Sequence, residues 1–169
     1  MIWQYFPDAT TAMNALMAGE VDYYEAPAPD LAPILASNPD ITVEVNDPLG
    51  SIGFARFNHT LPPFDDVDVR RAAIMAMKQE DYLAAGIGDP AYWKTCYSVY
   101  PCGTPLENDV GSDLMATGDT EAAKAALAKT GYDGTPVVIM QPTDISVLSA
   151  FSLVTAEKLR DAGFEVKLE

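Results

Sequence analysis

The groups in this chain whose types and spacing could do chemistry are few. Cys96 and Cys102 lie six positions apart in a stretch rich in Gly and Pro. That spacing fits neither a redox C-x-x-C pair nor a zinc ligand set, and no second cysteine pair or nearby histidine is available. A structural disulfide is the favoured reading, with two unconnected thiols as the alternative. A bridge would imply an oxidising compartment. His59 is the single histidine. It has no G-x-S-x-G elbow to serve as a base and no second histidine with which to share an ion, so neither hydrolysis nor metal binding is expected of it. No catalytic residue, cofactor or metal is expected.

Three further segments carry polar groups that a ligand could meet. Arg56 sits inside the apolar run Phe54-Ala55-Arg56-Phe57 and must be paired or face a cavity. An ion pair with one of the many acids is favoured, and contact with a ligand is the other reading. Tyr23 and Tyr24 fall on a short apolar segment and point to opposite faces, so at most one lines a given cleft; Glu25 follows. The turn Gln141-Pro142-Thr143-Asp144 follows an apolar strand and opens a helix, the position where open α/β sheets place ligands. Helix capping by Thr143 or Asp144 is favoured there, ligand contact second. The glycines Gly86, Gly88, Gly131 and Gly134 read as stops and turns, since none follows a strand and opens a helix as a phosphate cradle requires.

The elements that must position these groups follow from caps, stops and periodicity. Asp8 caps a helix that Gly19 ends, and Val21 to Tyr24 reads as a strand. Asp30 caps a short helix ended by Asn38-Pro39. Ile41, Val43 and Val45 alternate with polar residues as in a half-buried strand, and Leu49 to Phe57 reads as another. Pro62 and Pro63 form a clamp, after which Asp65 or Asp66 caps a helix carrying Val69, Ala72, Ala73, Ala76 and Met77. Residues 86–118 form a long ordered loop, because Tyr92, Trp93, Tyr97 and Tyr100 need cover. Asp119 caps an alanine-rich helix stopped by Gly131. Val137 to Met140, a helix from Ile145 to about Asp161 ended by Gly163, and Phe164 to Leu168 then make a right-handed βαβ unit with parallel strands.

The 169 residues suit one α/β domain able to bury roughly two thirds of its unfolded surface. Apolar residues make up 49% and charged ones 21%, which fits a globular chain. Ten basic against 25 acidic residues give a net charge of −15, which argues against nucleic acid as a partner. No apolar run reaches the roughly 18 residues of a membrane span. Neither a signal segment at the start nor a completed strand at the end is seen, so the sequence reads as a fragment whose leader lies elsewhere.

Four segments together resemble one family. Ala12 to Asp22 is similar to an A-x-x-A-L-x-x-G-x-V-D pattern, and Asn58 to Ala72 to N-x-x-x-P-P-F-x-D-x-x-V-R-x-A. Asp119 to Tyr132 resembles an A-K-x-L-L-x-x-A-G-Y helix, and Ala156 to Val166 a Q-L-x-x-x-G-I-x-V ending. These belong to the extracellular solute-binding proteins of family 5, the dipeptide, oligopeptide and nickel receptors of ABC importers. Each motif is mostly helix starts and stops, but their order across nearly the whole chain is specific.

The resemblance implies a class II periplasmic-binding-protein-like lobe with a mixed sheet flanked by helices and the C-terminal βαβ unit. Residues 1–169 would be most of the carboxyl-terminal lobe, with 1–29 next to the hinge. It implies a non-catalytic periplasmic receptor that closes on a peptide or small peptide-like solute and delivers it to an ABC permease in the membrane. Tyr24, Glu25, Thr143 and Asp144 become candidate ligand contacts, beside Arg56 from its own position. The rival expectation is a small α/β enzyme or ligand-sensing domain.

Overall fold

The computed structural model describes residues 1–115 and 118–169. Its element order is α1 (Ala9–Met17), α2 (Ala32–Ala36), α3 (Val67–Met75), α4 (Gln79–Gly86), a 3-10 turn (Pro90–Tyr92), α5 (Ser112–Met115), α6 (Thr120–Leu127), β1 (Val137–Ile139), α7 (Ser146–Asp161) and β2 (Val166–Leu168). Among the described residues no helix is long and apolar enough to cross a membrane.

Local chemistry sets several of these boundaries as expected. The carboxylates of Asp8, Asp66 and Asp119 accept from the backbone N–H of Thr11, Asp68 and Ala122, closing the first turns of α1, α3 and α6. At the other end, α1 and α7 stop on glycines with left-handed φ, Gly19 at +71° and Gly163 at +95°. The Phe164 N–H then donates to the Leu159 carbonyl and the Gly163 N–H to that of Arg160, a paired closure repeated by Glu20 and Gly19 on α1.

Expected strands proved less accurate. β1 and β2 pair in parallel, with Val137 opposite Val166 and Ile139 opposite Leu168, and α7 crosses between them as the βαβ reading required. Residues 21–24, 41–45 and 49–57 carry no strand among the described residues. Alternation reports a face that wants burial, whereas a ladder needs a neighbour alongside; Val45 and Phe54 remain largely exposed. The sheet is thus a two-stranded parallel one inside an α/β lobe.

Two expected caps are also absent. α2 begins at Leu31 with no side-chain cap rather than at Asp30, because Pro33 in its first turn removes an N–H that a cap would bond. The cap position of α7 is Ile145, also without a side-chain cap, so Thr143 and Asp144 fall ahead of it. Similarly, α6 ends at Leu127, where the Thr130 hydroxyl donates to the last carbonyl, before Gly131 is reached.

The main core lies between α3, α6, α7 and the sheet. On α3, Val69, Ala72, Ala73 and Ala76 recur with helical spacing and are buried, as the sequence indicated. They meet Ala123 and Leu127 of α6, Ala156 and Leu159 of α7, and Val137 and Val166 of the sheet. Alanine on these faces lets the helix axes approach closely. Phe64, held by the cis Pro62–Pro63 clamp ahead of α3, completes the core, its ring 4.4 Å from Phe57 and 6.3 Å from Phe164. The Arg70 guanidinium stitches this clamp by donating to the carbonyls of Phe64 and Asp65. The buried residues Ala12, Met13 and Ala15 of α1 and Ala32 and Leu35 of α2 stand outside this core.

A second packing joint links α4 to α7. Phe151 of α7 lies against two glycines: a Cβ on Gly86 would come within 2.5 Å of its ring and one on Gly53 within 2.8 Å. Tyr82 meets the same ring edge-on, with centroids 5.9 Å apart. Lys158 of α7 pairs with Asp81 of α4 across this joint.

Candidate functional site

The cysteine loop is built on the start of α4. Gln79 uses both ends of its amide on one peptide unit: its Nε2 donates to the Cys96 carbonyl at 2.7 Å, and its Oε1 accepts from the Cys96 N–H at 2.8 Å. The Tyr97 hydroxyl donates to Glu80, the next residue of α4, at 3.2 Å. Burial raises the Tyr97 phenol above its ordinary range, and the charge of Glu80 adds to the effect. Cys96 and Cys102 are disulfide-bonded. The Gly103 N–H donates to Glu107, and Leu49 packs within 3.2 Å of where a Gly103 Cβ would lie. Of the loop expected over residues 86–118, 116 and 117 lie outside the described residues; the rest carries the 3-10 turn and α5 and covers its aromatics only in part, the Trp93 indole reaching the Gly88 carbonyl while Tyr92 and Tyr100 stay exposed.

Because the disulfide closes so short a loop, the chain-entropy model assigns it about 2 to 2.5 kcal/mol. Cys96→Ser with Cys102→Ser should therefore lower the unfolding free energy of the lobe by that amount, read as a lower urea midpoint at unchanged slope. An unchanged midpoint would show that the Gln79 pairing fixes the loop by itself.

The expected site residues are dispersed. Thr143 and Asp144 lie exposed in the turn after β1. That turn is braced from α7, where Ser149 receives the Gln141 side-chain amide and the Ser152 hydroxyl donates to the Met140 carbonyl. Arg56 is exposed and makes no ion pair among the described residues, contrary to the expectation of an internal pair. The run around it is not buried, so its charge stays in water and needs no counter-ion. Gly53, three residues earlier, rests on Phe151, which brings this segment to α7 seven residues after Asp144. Tyr24 is half-buried and Glu25 exposed; neither bonds to the other candidates. His59 is exposed at the proline clamp.

Sequence reasoning missed Gln79, Arg70 and Tyr132. Tyr132 takes the Glu165 N–H at 2.9 Å and gives its own proton to the Thr135 carbonyl, tying the turn before β1 to β2. Beside it an open depression is lined by Pro62, Pro63, Asp65, Asp66, Tyr132 and Asp133. Hydrogen bonds from the Thr135 hydroxyl and N–H hold the Asp133 carboxyl below its ordinary range. Among the described residues no group of three or more His, Cys, Asp or Glu is placed to hold a metal ion.

Helices packed on a two-stranded parallel sheet make this an α/β lobe. The chain belongs to the bacterial extracellular solute-binding proteins, family 5, whose profile matches residues 1–169. A probable peptide ABC transporter periplasmic-binding protein of Sinorhizobium fredii, y4tO, is 34% identical over 162 residues, 95% of this chain and 30% of that protein. Among solved structures, the ABC transporter substrate-binding protein CtaP of Listeria monocytogenes aligns over 98% of this chain and 33% of its own, with TM-score 0.78 and 19% identity. The binding protein AgaA of A. tumefaciens R10, solved with agropinic acid, aligns over 97% and 33%, with TM-score 0.75 and 21% identity. The chain thus spans about 30% of the length of the curated relative it matches.

Proposed function

We propose that this chain forms one lobe of a periplasmic receptor of an ABC importer, taking peptides or small peptide-like solutes. The match to the family across all 169 residues carries the reading. The peptide assignment of the S. fredii relative supports the solute class. The Cys96–Cys102 bridge fits an oxidising compartment such as the periplasm.

Capture would work by closure of two lobes around the solute, which selects the bound state, followed by release to a membrane permease. The face formed by residues 49–57, the cysteine loop and the start of α7 supplies one wall. Arg56, Thr143 and Asp144 are the solute contacts proposed for this wall, with Tyr24 and Glu25 contributing from the segment nearer the hinge. Residues 1–29 serve as that hinge-proximal segment, a reading supported by the place of the buried α1 residues outside the main core. The work of this lobe is binding rather than catalysis.

Calorimetric titration with peptide mixtures tests the proposal. The full-length protein that carries this chain is expected to bind, and the isolated 169 residues to bind poorly for want of the opposing wall. Micromolar binding by the isolated chain would contradict it.

A further inference from the structure

Asp133 and Gly134 make the only Asp-Gly pair in the sequence, and no Asn-Gly pair occurs. A backbone nitrogen can attack the side-chain carbonyl carbon of the aspartate before it, and a following glycine, having no Cβ, leaves that approach unhindered. Both residues are exposed in the turn between α6 and β1. A Cβ built on Gly134 would meet nothing within 4 Å, so no neighbouring group shields the pair.

Two contacts work against the attack. The Thr135 hydroxyl and N–H both donate to Oδ1 of Asp133, at 2.6 and 2.9 Å. Cyclisation requires the carboxyl to leave this hold and bring its carbon over the Gly134 nitrogen. It also requires a protonated oxygen that can depart as water, whereas the same two bonds keep the carboxyl below its ordinary range and therefore ionised. The turn is braced from behind by Tyr132, whose hydroxyl donates to the Thr135 carbonyl at 3.0 Å and accepts the Glu165 N–H at 2.9 Å.

We propose that Asp133 is a site of isoaspartate formation in this chain and that Thr135 is the residue that restrains it. The Gly134 nitrogen bonds to Cγ of Asp133, the Cγ–O bond breaks, and the carboxyl hydroxyl leaves with the nitrogen's proton as one water. Water then adds to the main-chain carbonyl carbon of Asp133, whose bond to the Gly134 nitrogen breaks. The chain now runs through Cγ and is longer by one methylene, with a free carboxylate on Cα. One water leaves and one returns, so no other reactant is needed. Because β1 starts at Val137, the added length falls in the turn that feeds the sheet, next to the Tyr132 brace. This chemistry is independent of the wall proposed for the solute.

The test incubates the full-length protein carrying this chain at physiological temperature and neutral pH, as wild type, Thr135→Val, Thr135→Ser and Tyr132→Phe. Isoaspartate at residue 133 is followed by peptide mapping. Thr135→Val is expected to accumulate it about tenfold faster than wild type, the worth of one charge-assisted hydrogen bond, with Thr135→Ser near wild type. Wild-type protein unfolded in urea is expected to isomerise faster than the folded protein, a comparison that stands even if Thr135→Val does not fold. Equal rates in Thr135→Val and wild type would overturn the proposal. So would an equal acceleration in Tyr132→Phe, which loosens the turn but keeps both Thr135 bonds, or a folded wild type as fast as the unfolded one. Absence of isoaspartate at residue 133 from every sample would overturn it as well.

Discussion

Phe64→Ala is expected to lower the unfolding free energy of the lobe by about 3 to 5 kcal/mol, the range for emptying a buried aromatic site. The ring is 8% exposed and lies between Phe57 and Phe164, which in turn meets Tyr132 at 5.2 Å. It cannot be replaced by collapse, because the clamp before it and α3 after it are both held, the clamp by Arg70. The same change frees Phe57, which packs on this ring at 4.4 Å. Urea unfolding followed by tryptophan fluorescence and by circular dichroism measures the effect. A drop below about 1 kcal/mol, the size of an ordinary surface change, would show that the aromatic row does not hold the core together.

Leu35→Ala should cost about 2 to 5 kcal/mol, but in a different place. Leu35 is 2% exposed, yet it stands outside the core of α3, α6 and α7. Its loss is expected to raise amide exchange across α2 while α3 and α6 keep their protection, since local openings follow the packing that is damaged. Uniform loss of protection throughout the lobe would mean that the two regions unfold as one, and would weaken the assignment of residues 1–29 to the hinge side.

Most of the helical architecture was legible in the sequence because caps and stops act over three or four residues. Asp8, Asp66, Asp119, Gly19 and Gly163 do what their types indicate, since each bond they make is local. The misses have two physical origins. Alternation at Ile41, Val43 and Val45 and along residues 49–57 reports a surface that wants cover, and it cannot say whether a neighbouring strand lies within reach. Long-range polar bonds leave no local trace: Gln79 finds Cys96 seventeen residues on, and Tyr132 finds Glu165 thirty-three residues on. Of the candidate site residues, Arg56 stood out in the sequence as a charge in an apolar run. That it would be left without a counter-ion was not legible, because the acids around it are placed by tertiary structure.

The position of Phe151 has a consequence for how this lobe can change over time. Its ring occupies the space where side chains on Gly53 and Gly86 would stand, so three positions far apart in the chain are bound to one another's size. Alanine at Gly86 is admissible only after the residue at 151 has shrunk, and a smaller residue at 151 leaves a void unless one of the glycines grows. Descendants of this sequence must therefore alter these positions together or not at all. Because Gly53 also lies three residues before Arg56, a change at this helix joint would be felt along the segment that carries that arginine.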